Sequence, residues 1–213
     1  MRVPLFLWLA LPLGAQAEEP LVDIAAYLPS ALVELRYMRE DNFLGRAVYP
    51  PEARCLLRES VAQRLVRVAE RLAKEGLRLK LWDCYRPWSV QKAMWELLPK
   101  PGFVANPATG SHHNRGAAVD LTLANAEGEE LEMPTPFDEF SPRARQGATE
   151  GIPTAAVHNR DKLKAAMEAE GFLANRAEWW HFDAGDARRF KVLDEAPVLR
   201  APPPPLQVCN KPP

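Results

Sequence analysis

His113 and Asp120 stand seven residues apart in Ser-His-His-Asn-Arg-Gly-Ala-Ala-Val-Asp (111–120). Far downstream, Glu178-Trp-Trp-His181 brings a second imidazole three residues after a carboxylate. Two imidazoles and one carboxylate make a three-donor set for a divalent ion, with zinc the expected metal. Three protein donors leave a fourth position for water, the catalytic rather than the structural pattern. Zinc on His113, Asp120 and His181 is expected to bring the pKa of that water to about 7. Glu178 is not needed as a ligand and is free to act as general base, passing the proton on to a leaving amine. The oxyanion formed on the way needs a fixed cation. Arg86 suits that role, because a guanidinium stays charged and offers several donors. The chemistry implied is metal-assisted hydrolysis.

Each segment alone has a plainer reading. His113 with Asp120 fits a surface turn, Arg86 before Pro87 fits an ordinary surface arginine, and Trp179-Trp180 fits core packing. His112, beside a ligand, and His158, at the approach to a helix, read as structural. The joint pattern favours the metal site.

The elements that must hold these residues are partly legible. Leu57, Val61, Leu65, Val68 and Leu72 follow helical spacing over 57–74, and Gly76 stops the helix. Leu77, Leu79 and Leu81 alternate with Arg78 and Lys80 as a half-buried strand, which delivers Asp83-Cys84-Tyr85-Arg86-Pro87 at its end. A second helix is expected over 89–98, then a Pro- and Gly-containing loop over 99–110. Gly116 gives a flexible or tight backbone point between the two ligands. Val119 to Leu123 reads as a strand carrying Asp120, with Glu130 to Met133 as its hairpin partner across Glu127-Gly128. A short strand is expected near Val33 to Tyr37. A polar loop over 134–153, a helix over 161–170 and strands over 172–182 complete the order. If Glu178 to His181 were strand, Glu178 and His181 would face opposite ways, and a twist or bulge would have to bring them together. The fold class expected is α+β: a single domain with a mostly antiparallel sheet flanked by helices.

Residues 1–17 read as a signal peptide: Arg2, an apolar run from Leu5 to Leu13, and Ala15-Gln16-Ala17 before Glu18 and Glu19. The run is too short to span a bilayer, and no stable membrane insertion is expected after cleavage. The protein is then exported, with the periplasm the expected compartment. A single domain over 18–190 follows, and a Pro-rich C-terminal tail over 191–213. Losing residues 1–17 removes only Arg2 and moves the net charge from −1 to −2. That balance argues against nucleic acid or an anionic membrane as partner. Of the three cysteines, Cys55 and Cys84 lie inside the folded body and are the expected disulfide, leaving Cys209 in the tail.

The motifs resemble one family. Ser-x-His-x-x-Gly-x-Ala-x-Asp is matched by Ser111, His113, Gly116, Ala118 and Asp120, and Glu-x-Trp-His by Glu178, Trp180 and His181. Asp83-x-Tyr85-Arg86-Pro87, Asn42-Phe43 before Gly45, and Phe137-Asp138 also fit. Together they are similar to the D-alanyl-D-alanine dipeptidases, zinc peptidases that include the vancomycin-resistance dipeptidase, over roughly residues 21–185. The resemblance implies a zinc D-Ala-D-Ala peptidase-like fold and one Zn2+ per chain on His113, Asp120 and His181. It implies Glu178 as catalytic base and Arg86 as transition-state stabiliser. It also implies that Ser111 and Asp138 hold the termini of a small dipeptide substrate, and a carboxylate suits a substrate ammonium. The expected reaction is hydrolysis of D-Ala-D-Ala to two D-alanines in cell-wall peptide turnover or recycling. The main rival is a zinc carboxypeptidase or endopeptidase acting on longer murein peptides, which needs an open groove rather than a closed pocket. A non-catalytic zinc module is disfavoured, because binding alone needs neither Glu178 nor Arg86.

Overall fold

The computed structural model describes residues 19–198. The expected signal peptide over 1–17, Pro202 to Pro205 and Cys209 lie outside them. In chain order the elements are β1 (Leu21–Asp23), α1 (Ile24–Tyr27), β2 (Leu32–Val33), β3 (Leu56–Arg58), α2 (Glu59–Ala73), β4 (Arg78–Asp83), α3 (Trp88–Leu97), β5 (Ala118–Ala124), α4 (Thr154–Ala169), β6 (Phe172–Ala174) and β7 (His181–Ala184). One sheet has the order β2-β4-β5-β7-β6, and β1 pairs with β3 in a second. Only the β2–β4 pair is parallel. The fold is α+β with a mostly antiparallel sheet, as the sequence implied.

Helix α2 forms where apolar residues recur every three or four positions, and Val61, Leu65, Val68 and Leu72 are buried along it. It packs on α4 and on β4. Strand β5 is buried along its whole length. Val119, Leu121 and Leu123 join the core shared with Leu65 of α2 and Leu163 of α4. Alternation along the strand turns Asp120 to the opposite face.

Register then builds the centre. On β5, Asp120 lies opposite Asp83 of β4 on one side and opposite His181 of β7 on the other. Side chains directly opposite across neighbouring strands share a face, so these three stand in one row.

Several expected boundaries move. Residues 130–133 do not form the return strand of a hairpin: a single bridge joins Ala124 to Glu130, and Leu131 N–H donates to Leu123 O at 2.9 Å. Strands β4 and β7 already flank β5, which leaves room only beyond the end of β7. Helix α4 starts at Thr154, just after Pro153 and before the expected start at Asp161; its first turn buries only a small residue, Ala156, so apolar periodicity does not mark it. The strand expected near Val33 ends there, and Arg36–Met38 forms a 3-10 turn. Residues 172–182 are not continuous strand. The chain leaves β6 at Ala174 and turns through 175–180 before β7. Glu178 therefore sits in the turn, and strand alternation does not set its direction relative to His181.

Residues 191–198, within the expected tail, lie against the body. Leu193 N–H donates to Asn114 O at 2.8 Å, Trp88 N–H to Leu193 O at 3.1 Å, and Arg54 N–H to Pro197 O at 2.7 Å. Gly116 has φ +67, and a Cβ there would meet Leu21 Cδ2 at 2.3 Å, so only glycine closes the turn between the ligands.

Cys55 and Cys84 are bonded across 29 residues, with Cα atoms 5.2 Å apart. The bond ties the chain just before β3 to the chain just after β4. Removing both sulfurs in Cys55→Ser/Cys84→Ser should cost about 2–4 kcal/mol in urea unfolding, mainly through a freer unfolded chain. An unchanged urea midpoint would contradict this.

Candidate active site

His113 opens a 3-10 turn (His113–Arg115) that precedes β5. Its Nδ1 lies 2.6 Å from Cys84 O. A backbone carbonyl can only accept, so Nδ1 carries the hydrogen and Nε2 presents its lone pair. That nitrogen lies 3.1 Å from His181 Nδ1 and 3.3 Å from Asp120 Oδ1. His181 Nδ1 lies 3.0 Å from Asp120 Oδ1. A tetrahedral ion with bonds of about 2.0–2.1 Å holds its donors about 3.3 Å apart. The three observed separations fit that spacing, and the donor chemistry, two imidazoles and a carboxylate, fits a borderline-soft divalent ion.

Arg86 is buried and fully oriented. Its Nε and Nη2 donate to Asp83 Oδ2 at 2.9 and 2.7 Å, and its Nη1 donates to Gln91 Oε1 at 2.8 Å. Asp83 Oδ1 accepts from Tyr49 OH at 2.7 Å. Arg86 Nη2 lies 3.6 Å from Asp120 Oδ2, so the guanidinium borders the donor set. Its carbon sits 5.1 Å from the centre of the Tyr37 ring.

Glu178 is 5% exposed, and Asn175 Nδ2 donates to its Oε2 at 3.1 Å. Burial pushes its pKa well above the usual carboxylate range, and the nearby His181 only partly offsets this. Asp138 has φ +61 and accepts from Tyr37 OH at 3.3 Å and from Phe43 N–H at 3.3 Å. Burial, reinforced by the charge of Asp120, raises its carboxyl to about 7. Burial would also raise Asp120, but the imidazoles of His113 and His181 outweigh it and hold that carboxyl below the usual range. Ser111 Oγ accepts from His113 N–H at 3.2 Å.

One cavity of about 260 Å³ gathers His113, Asp120, His181, Glu178, Arg86, Ser111 and Asp138. All seven site residues named from the sequence therefore meet. Trp179 and Trp180 are both buried in the core, and Trp180 also borders the cavity. His158 lies on α4 and does not reach it. His112, read as structural, does line the cavity, as does Asp183, which the sequence reading passed over. Asp83, Gln91, Tyr37 and Asn175 were also missed as supports. Only Asp183 had a legible signal: it is two residues beyond His181 on a strand, hence on the same face.

A buried His-Asp-His donor set, a buried carboxylate beside it and an anchored arginine make this the site of a metallopeptidase. Residues 17–198 match the family model described as D-ala-D-ala dipeptidase. The chain is 38% identical over 173 residues to a D-alanyl-D-alanine dipeptidase of Escherichia coli strain K12, covering 81% of this chain and 89% of that one. It is 33% identical over 173 residues to one of Enterococcus faecium, covering 70% and 83%. It is 34% identical over 186 residues to one of Enterococcus faecalis, covering 76% and 86%. The chain belongs to the D-Ala-D-Ala dipeptidase family of peptidases.

The Asp138 carboxyl of the metal-free protein should titrate near 7, followed by carbon-13 NMR. Removing the neighbouring charge in Asp120→Asn should lower that value. Removing a stabilising donor in Tyr37→Phe should raise it. A titration in the ordinary aspartate range would show Asp138 to be solvated.

Proposed function

We propose that this chain hydrolyses D-Ala-D-Ala to two D-alanines, using one zinc ion per chain held by His113, Asp120 and His181. The observation that carries the substrate class is the size and wall of the cavity. Clefts for drug-sized ligands run about 300–1,000 Å³, and the cavity here, about 260 Å³, is smaller. Phe103 and Phe140 both line it, with ring centroids 5.2 Å apart. Phe140 also meets Phe43 at 5.2 Å. The loops over 99–110 and 137–141 thus form one aromatic wall, which suits a dipeptide better than a murein stem. The relatives reported above carry the name of this activity.

When bound, the ion polarises the scissile carbonyl and acidifies water beside it. Glu178 takes the proton from the attacking water. Because burial raises its pKa, it holds that proton until the leaving amine can accept it. Asn175 fixes one of its oxygens, leaving the other for the water. Arg86 gives a fixed positive donor to the developing oxyanion, a contribution of about 10²–10³ in rate. Asp83 and Gln91 hold it in place before the charge develops. Asp138 receives the substrate ammonium and Ser111 its carboxylate. The cavity is lined by the carboxyl groups of Asp120, Asp138, Glu178 and Asp183 against one permanent cation, Arg86, a balance that favours binding of cations, both the ion and the ammonium. The reading of residues 1–17 as an export signal supports action outside the cytoplasm, on D-Ala-D-Ala released from cell-wall peptides. Among the described residues no helix is long and apolar enough to cross a membrane.

Amine release from D-Ala-D-Ala, L-Ala-L-Ala and a D-Ala-D-Ala-terminated pentapeptide, with and without chelator, tests this reading. Cleavage of the first alone, abolished by chelator, is expected. Cleavage of the pentapeptide but not the dipeptide would assign the chain to murein carboxypeptidase action instead. Glu178→Ala should retain stoichiometric zinc by metal analysis while losing nearly all turnover. Loss of zinc from that variant would make Glu178 a ligand rather than the base.

A further inference from the structure

The two imidazoles of the donor set are oriented by different means. His113 Nδ1 is fixed by a backbone carbonyl, Cys84 O, which no substitution removes. His181 depends on a side chain: its Nε2 lies 2.9 Å from Asp183 Oδ1, two residues further along β7. The same oxygen lies 3.0 Å from His112 Nδ1. One carboxylate oxygen therefore links the ring next to the first ligand with the ring of the second. Both Asp183 and His112 line the cavity, with side chains 24% and 28% exposed. An aspartate with that much access to water has other places to go, and His112 supplies the second contact that keeps it on His181.

We propose that Asp183, braced by His112, is the positioning carboxylate of His181. Asp183 accepts the hydrogen on Nε2, which fixes the tautomer in which Nδ1 offers its lone pair to the ion. An outer partner of this kind commonly sets ligand orientation and changes metal affinity about 10–100-fold. The inference rests on the reading of His181 as a metal ligand.

Zinc affinity of the full-length mature protein, measured by competition with a chromogenic chelator, tests it directly. Asp183→Ala should weaken zinc binding about 10–100-fold, and Asp183→Asn, which keeps an acceptor oxygen, less. His112→Ala should weaken it to a smaller extent, His112→Gln should restore part of the loss, and His112→Ala should add nothing in an Asp183→Ala background. Turnover of these variants should rise as zinc is raised. Wild-type zinc affinity in Asp183→Ala would overturn the proposal. So would a loss in both Asp183 variants that only tracks a fall in apoprotein melting temperature. His181→Ala separates the two levels. If it keeps wild-type affinity, the metal reading itself fails. If it loses zinc while Asp183→Ala does not, only the present inference fails.

Discussion

The site depends on the register between β4, β5 and β7. Asp120 stands between Asp83 and His181 across two strand pairs, so one row of the sheet supplies a metal donor on each of two strands and the anchor of Arg86 on the third. A slip of one residue in either pair would send a member of that row to the opposite face. The apolar positions Val119, Leu121 and Leu123 prevent the slip, because it would also expose the face buried against the helices. Alternation along β5 sets both core packing and the direction of Asp120, and a register shift in β4 between Leu81 and Asp83 brings Asp83 opposite it.

Charge is the second theme. Asp83, Arg86, Asp120, Glu178 and His181 are all buried within one small region. Such groups are costly unless they are paired. Arg86 is satisfied by Asp83 and Gln91, and Asp120 by two imidazoles. Glu178 and Asp138 are not fully compensated, and both are pushed toward the neutral form. On the proposed reading, a divalent ion and a substrate ammonium supply the missing positive charge. The protein holds an environment whose balance is completed by what it binds.

Much of this was legible in the sequence. The seven-residue step from His113 to Asp120, the Glu178 to His181 segment and Arg86 at a strand end pointed to the chemistry only jointly, because each alone has a plainer reading. Helix α2 and strands β4 and β5 were legible because their periodicity is strong. The supports were not. Gln91 reaches Arg86 from helix α3, Asn175 reaches Glu178 from the turn before β7, and Asp83 acts through a pairing that only the folded sheet reveals. The expected hairpin after β5 is reduced to one bridge, because sequence shows a turn but not how much of the strand's flank β7 occupies. Glu178 was expected on a strand, yet it sits in the turn between β6 and β7.

The order of the donors along the chain has a further consequence. His113 and Asp120 sit before and within β5, which pairs with β4 from earlier in the chain, but His181 arrives only with β7, the last strand of the sheet. During synthesis, the donor set stays incomplete until that strand inserts between β5 and β6. An ion that prefers three donors to two thus stabilises the docked state by RT ln(1 + [ion]/Kd) at this one step. On the proposed reading the ion would clasp the C-terminal end of the domain, and a chain without it would loosen first at β7.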